Sequence, residues 1–216
     1  MIGTCVAALC LSLFGCGAGT GQQPSQQDTD DSQAAEQETV DYSTGTHHAQ
    51  LVFEGYEDAP LTIEIYSDSA PVSASTFCEL VEQGYYDGKT LFWILDDMYV
   101  RIGSTKQDDN HLITGEYAES DVVNTNSLKY GTVALSRAED GQQSAAGSFI
   151  VFLSDMSYLD GKYAAFGKIT GGMGVIDEIA DLTESKSKKD RIETTKTGKI
   201  KDEKDCPVVA SMRMVD

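Results

Sequence analysis

Apolar and polar positions alternate over residues 51–54 and again over 61–66 (L-T-I-E-I-Y), with Gly55 between the two runs. A period of two buries one face of each segment and wets the other, so the pattern predicts two antiparallel strands joined by a short connection. After Ala70-Pro71 the period lengthens: Phe77, Leu80 and Val81 fall on one face of a helix, and Gly84 follows as its C-terminal cap. Residues 149–153 (F-I-V-F-L) are apolar without interruption, as expected of a strand buried on both faces or closing a barrel. Ser154-Asp155 opens a turn and Asp160-Gly161 supplies another, because Gly accepts positive φ and Asp bonds its own local backbone. Residues 163–166 resume extended structure and Gly167 ends it, so the block reads as an antiparallel strand pair. Residues 207–214 read as a terminal strand.

With 216 residues and 40% hydrophobic content, the chain can bury one ample core, and a single domain with appendages is expected. A separate apolar run, residues 6–14, is too short to span a bilayer and has the length of a signal-peptide core. Leu13-Phe14-Gly15-Cys16 resembles the bacterial lipobox, in which the cysteine is lipidated and becomes the mature N-terminus; an ordinary cleaved signal or a strand fused to the domain are the alternatives. The polar stretch that follows Cys16 at once favours lipidation. Residues 17–46 lack Lys and Arg and carry hardly any large apolar side chain, so burial cannot offset their ordering entropy and a disordered tether is expected. As a flexible coil, about thirty residues would hold their ends roughly 30 Å apart. The expected organisation is therefore a signal peptide with its lipobox cysteine over 1–16, a tether over 17–46 and a folded domain over 47–216, extracytoplasmic and anchored to a bacterial cell membrane as a lipoprotein.

The formal charge of −19 excludes nucleic acid as a partner and electrostatic adhesion to anionic lipid. Lys186, Lys188, Lys189 and Arg191 form the only dense basic patch and read as a solvated loop. Cys78 and Cys206 would be the thiols left after export, and an oxidising compartment would allow them to pair if the fold brings them together.

The order F-I-V-F-L-S-D-M-S-Y-L-D-G-K-Y-A-A-F-G over residues 149–167 resembles the central signature of cyclophilin-type peptidyl-prolyl isomerases. Three further segments resemble the same family: A-P-V-S-A-S-T-F-C-E-L-V-E-Q-G-Y-Y-D-G from Ala70, Gly115-Glu116-Tyr117, and G-T-V-A-L-S-R-A from Gly131. Residues 175–179, after Gly171-Gly172-Met173, look like the family's second helix, and those glycines frame no phosphate loop. The resemblance runs from Ala49 to Val215. It implies a mainly β fold, a closed eight-stranded antiparallel barrel capped by two α-helices, which removes exposed strand edges.

It also implies a reaction in which no covalent bond breaks. Rotation about an X-Pro bond meets a barrier of roughly 20 kcal/mol. Lowering it takes an apolar seat for the proline ring, donors for the substrate carbonyl and a cation near the imide nitrogen. In the family an arginine within F-H-R-V-I supplies the cation. An ungapped alignment from Asp87-Gly88 puts Leu91, Phe92, Trp93, Ile94 and Leu95 on that motif, so Trp93 stands at the arginine position. Met98, Tyr99 and Arg101 take the places of the next strand's Phe, Met and Gln, and the glycine-rich loop that follows is shortened. Ser148 takes that of the carbonyl-binding Gln, Ile150 that of the proline-pocket Phe, Tyr158 that of Trp and Tyr163 that of His, while Leu159 is kept. Ser136, Arg137 and Ala138 complete the implied substrate-binding set. Two outcomes are open: Arg101, across a strand pair from Trp93, supplies the missing cation, or Trp93 and Ile150 fill the pocket and Arg101 is solvated.

Other constellations exclude more than they suggest. His47-His48 has no third ligand nearby and reads as a solvated pair, and Asp108-Asp109-Asn110 lacks the spacing of a calcium loop, so no metal is expected. Ser136 and Ser148 have no His partner suited to a hydrolase. The expectation is a monomeric isomerase that needs no cofactor, acts on proline-containing peptides or unfolded exported proteins and is held at the membrane by its lipid. The alternative is a cyclophilin-like binding module or holdase with an aromatic groove of Trp93, Tyr99 and Tyr158.

Overall fold

The computed structural model describes residues 40–105, 111–118, 124–138, 141–185, 187 and 190–216, all of them in the unit Thr39–Asp216. The expected signal peptide with Cys16, most of the tether, the acidic turn at Asp108-Asp109-Asn110, and Lys186, Lys188 and Lys189 lie outside the described residues.

Nine strands and two α-helices are described: β1 Thr46–Phe53, β2 Leu61–Tyr66, α1 Pro71–Glu82, β3 Thr90–Leu95, β4 Tyr99–Gly103, β5 Leu112–Thr114, β6 Thr132–Arg137, β7 Gln143–Phe152, β8 Ala165–Gly171, α2 Met173–Asp181 and β9 Val209–Met214. Eight of them run in the order β3-β4-β7-β6-β8-β2-β1-β9, with β5 paired to β7, and every pairing is antiparallel. The sheet curls until its ends meet. Gly88 and Leu91 donate to the carbonyls of Val209 and Pro207 at 2.8 and 2.9 Å, and Val209 donates to that of Lys89 at 2.8 Å.

The alternation in β1 and β2 turns Leu51, Phe53, Leu61, Ile63 and Ile65 inward, where all are fully buried. On α1, Phe77, Leu80 and Val81 face the same core. The Phe77 ring lies 4.6 Å from Phe166, 5.5 Å from Phe149 and 5.3 Å from Tyr86, centroid to centroid. Each buried aromatic of this kind contributes on the order of 2–3 kcal/mol through area removed from water. Two segments far apart in the chain are therefore locked together by their phenylalanines.

The helix α1 has no side-chain cap of its own, since Ala70 stands at its N-cap. Glu116, 1% exposed, takes that role from the loop after β5. Its carboxylate accepts from the backbone N–H of Val72 at 3.0 Å and of Ser73 at 2.8 Å, and from the Ser73 hydroxyl. Negative charge at a helix N-terminus is favoured by the helix dipole as well as by the hydrogen bonds.

Several local expectations are corrected. The block over 149–167 is not a strand pair, because β6 lies between β7 and β8. Gly167 does not end a strand. It sits inside β8, where a Cβ would come within 2.5 Å of the Glu64 carbonyl oxygen, so only glycine permits β8 to lie against β2. Gly161 does have positive φ, +73°, but Asp160 bonds the distant Leu128 N–H and Ser127 hydroxyl, both at 2.8 Å. Within the expected tether, Tyr42 is buried and donates to Glu82 at 2.8 Å, so the folded domain starts before residue 47. His47 and His48 are engaged by Asp216, at 2.9 and 3.1 Å. Cys78 and Cys206 are both buried and unpaired, and burial, reinforced by Asp216, pushes the Cys78 thiol up to about 12.

One ion pair fastens the barrel seam. Arg213 on β9 meets Asp87 through two hydrogen bonds, at 2.8 and 2.6 Å, and the Met212 N–H adds a third at 2.9 Å. The Arg213 hydrogen bond holds the Asp87 carboxyl below its usual range, against the opposing effect of burial. A depressed carboxyl stabilises the fold at pH values above its unfolded pKa of about 3.9, and that stability is lost as pH falls through the lower folded value. Asp87→Asn is expected to cost about 1 kcal/mol at neutral pH and to flatten the fall in stability below about pH 4, as read by urea unfolding across pH.

Candidate functional site

Strand geometry builds two layers from one sequence. On β7, Phe149 and Val151 belong to the main core, whereas Ile150 and Phe152 belong to a second apolar cluster with Leu128, Ala134, Met156 and Ala165. Alternate residues of a strand face opposite sides of the sheet, so this second cluster lies on the outer face of the barrel. Met98, Tyr99, Leu159 and Tyr163 pack against it half-buried. The Phe152 ring is 6.2 Å from that of Tyr99 and 5.9 Å from that of Tyr163. Together they form an apolar seat with Ile150, 2% exposed, as part of its floor.

At the edge of this seat stands a cation. Arg101 pairs with Ile150 on one neighbouring strand and with Trp93 on the other. Its Cζ lies 5.3 Å from the Phe92 ring centroid and 5.6 Å from that of Trp93. Its Nε–H is buried without an acceptor, and Arg101 has no ion pair among the described residues. Burial pulls the guanidinium pKa down, while Tyr99 and Tyr163 act the other way. An arginine still keeps its charge at neutral pH. The result is a partly desolvated cation with unused donors beside an apolar surface, a setting in which electrostatic interactions are stronger than in water.

The remaining implied residues divide. Ser148 and Ser136 are 3% and 1% exposed, and the Ser148 hydroxyl donates to that of Ser136 at 2.8 Å. Both hydroxyls are buried and that of Ser148 is engaged with Ser136, so neither is exposed to a substrate carbonyl; the β6–β7 register shifts after Leu135, where Ser136 pairs with Ala145. Arg137 is a loop fastener. It donates through Nε and Nη2 to the Gly141 carbonyl and through Nη1 to that of Lys162, with its Cζ 4.4 Å from the Tyr117 ring centroid. Ala138 begins the same loop, its N–H donating to Gln143 and its carbonyl accepting from Gly141. Tyr158 is 72% exposed, its hydroxyl 3.5 Å from the Met156 sulfur.

The cyclophilin-type peptidyl-prolyl cis-trans isomerase family model matches residues 51–201. This chain belongs to that family. A peptidyl-prolyl cis-trans isomerase-like protein of Rhizopus delemar is 33% identical over 119 residues, 54% of this chain and 72% of that protein. A peptidyl-prolyl cis-trans isomerase of Acinetobacter baylyi is 28% identical over 130 residues, 58% of this chain and 69% of that one. Among solved structures, a cyclophilin of Cryptosporidium parvum determined in the presence of the dipeptide Ala-Pro aligns with TM-score 0.61 at 16% identity, covering 78% of this chain and 99% of that one. That likeness establishes the shared fold.

Within this cyclophilin, the seat also takes in Phe152, Leu128 and Met156, beyond the residues that the family resemblance implies. The alternation along β7 carries the signal for Phe152, two residues beyond Ile150. Leu128 and Met156 come from loops joined by a backbone hydrogen bond of 2.8 Å, and no local pattern announces that meeting.

Proposed function

We propose that this cyclophilin is a peptidyl-prolyl cis-trans isomerase whose catalytic cation is Arg101. The observation that carries the reading is the unpaired, partly buried guanidinium beside the apolar seat. A proline ring laid on Met98, Tyr99, Ile150, Leu159 and Tyr163 would bring its imide nitrogen towards Arg101. Twisting the X-Pro bond breaks amide conjugation and concentrates a lone pair on that nitrogen, and a fixed donor interacts with the twisted state more strongly than with the planar one. No nucleophile and no cofactor enters the scheme.

A second reading, a binding module without turnover, is favoured by one specific feature: the closed Ser148–Ser136 pair leaves the carbonyl-binding position without an exposed hydroxyl. A protease-coupled isomerisation assay at high protein concentration separates the two. The isomerase reading expects a rate above background on a prolyl tetrapeptide. Background rate combined with a change in Trp93 fluorescence on adding the peptide would replace it by the binding module.

The substrates in this reading are proline-containing segments of exported proteins, reached at a membrane surface by a domain lipidated at Cys16. Support comes from the apolar run over residues 6–14, the lipobox-like L-F-G-C and the polar stretch behind it. Stable anchoring needs more than one acyl chain, as a lipoprotein cysteine carries. Cys16→Ser is expected to move the protein from the membrane fraction to the soluble one, and a variant that stays membrane-bound would count against lipidation at that residue.

A further inference from the structure

The position that carries the family's arginine is covered by the protein's own chain. Residues 193–201 fold into a hairpin: Thr194 bridges Ile200, Gly198 donates to the Thr195 carbonyl at 3.0 Å, Lys201 to that of Glu193 at 2.8 Å, and the Lys201 ammonium meets the Glu193 carboxylate at 3.1 Å. The returning arm adds to the edge of β3 that β4 leaves open. Ile94 donates to the Gly198 carbonyl at 2.8 Å, Ile200 donates to that of Phe92 at 3.0 Å, and Trp93 bridges Lys199. Trp93 therefore has the hairpin on one side and Arg101 on the other.

The contact on the hairpin side leaves no slack. Gly198 has φ +103°, and a Cβ there would fall 2.6 Å from Trp93 Nε1, 2.9 Å from its Cδ1 and 2.7 Å from the Ile94 carbonyl oxygen. The indole N–H is buried without an acceptor, so no hydrogen bond orients the ring. Packing does it: Gly198 bounds one edge, and the Arg101 guanidinium stands 5.6 Å from the ring centroid. Arg101 is in turn oriented by no hydrogen bond among the described residues, only by the rings of Phe92 and Trp93 and by its strand neighbours.

We infer that the 193–201 hairpin is a positioning element for Arg101, acting through Gly198 and Trp93. Trp93 is a positioning residue, the wedge through which the hairpin sets where the guanidinium stands, and it does not itself bear on substrate. The inference rests on the reading of Arg101 as the catalytic cation.

The test is a double-mutant cycle of Gly198→Ala and Trp93→Ala, with Lys196→Ala at the exposed hairpin tip as control. Four quantities are read: kcat and KM on a prolyl tetrapeptide, the 15N–1H resonance of Arg101 Nε, and, in variants that keep it, the emission of the chain's one tryptophan. Gly198→Ala is expected to lower kcat about tenfold with KM within about twofold, to shift the tryptophan emission and to move the Arg101 resonance. In the Trp93→Ala background the same substitution should change kcat less than about threefold, because only the Ile94 carbonyl contact and the positive φ at 198 are left to act. Lys196→Ala should match the native protein throughout. Effects of Gly198→Ala that multiply equally in both backgrounds, or an Arg101 resonance that stays put, would overturn the inference. Should Gly198→Ala not fold, Lys201→Ala, which opens the ion pair closing the hairpin, should show the same dependence on Trp93 at about threefold, and equal effects in the two backgrounds would again overturn it. If the native protein shows no isomerisation, the resonance still decides: a shift that depends on Trp93 upholds the hairpin's role while the isomerase reading falls.

Discussion

Replacing Arg101 by Ala is expected to lower kcat/KM on prolyl peptides by at least about a hundredfold while leaving the fold almost as stable as before. The two halves of that expectation have separate causes. Loss of one well-placed electrostatic donor costs roughly 2.7–4 kcal/mol of transition-state stabilisation. The folded state loses far less, because the guanidinium makes no ion pair among the described residues and its Nε–H has no acceptor. What disappears is contact with Phe92 and Trp93, about 0.5–2 kcal/mol for each cation–π pair at a partly desolvated site, offset by release of the charge from that site. Arg101→Lys keeps the charge but replaces the planar fork with a compact ammonium, so an intermediate loss is expected. Protease-coupled kinetics and thermal unfolding of the same preparations check both halves. A rate within twofold of native for Arg101→Ala would remove this residue from the chemistry.

That prediction was open to sequence reasoning because the β3–β4 hairpin is symmetric about residue 97. Leu95 pairs with Tyr99, Ile94 with Val100 and Trp93 with Arg101, so aligned positions near a tight turn translate directly into neighbours. The core was legible for a related reason: period two in β2 and a helical period in α1 expose the inward faces of both. Three features escaped. The β6 strand lies between β7 and β8, a consequence of pairing between segments that no local period encodes. The Ser148 hydroxyl is engaged with Ser136, a meeting of side chains from two strands beside a register shift that no local period encodes. The hairpin over Trp93 depends on Gly198, which in the sequence is one glycine among twenty.

Glu116 is the fourth feature of this kind, and its replacement is expected to be the most destabilising single polar change in the domain. The residue caps α1 from 43 positions further along the chain, so nothing near the helix announces it. Glu116→Ala would strand two backbone N–H groups and the Ser73 hydroxyl at a buried helix N-terminus. Hydrogen bonds to a charged group are worth about 1.5–3 kcal/mol each, and part of the loss is recovered where water can enter. A net cost of about 3 kcal/mol follows, or roughly 6–12 °C in Tm for a domain of this size. Glu116→Gln should cost about 2 kcal/mol, because its amide keeps one acceptor oxygen but presents an N–H group to donors. Ser73→Ala, which removes a single partner and leaves both backbone bonds, should cost about 1 kcal/mol. The order Ala, Gln, then Ser73→Ala, measured by urea unfolding, is the signature of a charged cap. Equal effects for Glu116→Ala and Glu116→Gln would show that the negative charge at the helix end contributes nothing, and that the hydrogen bonds alone fasten the loop after β5 to the helix.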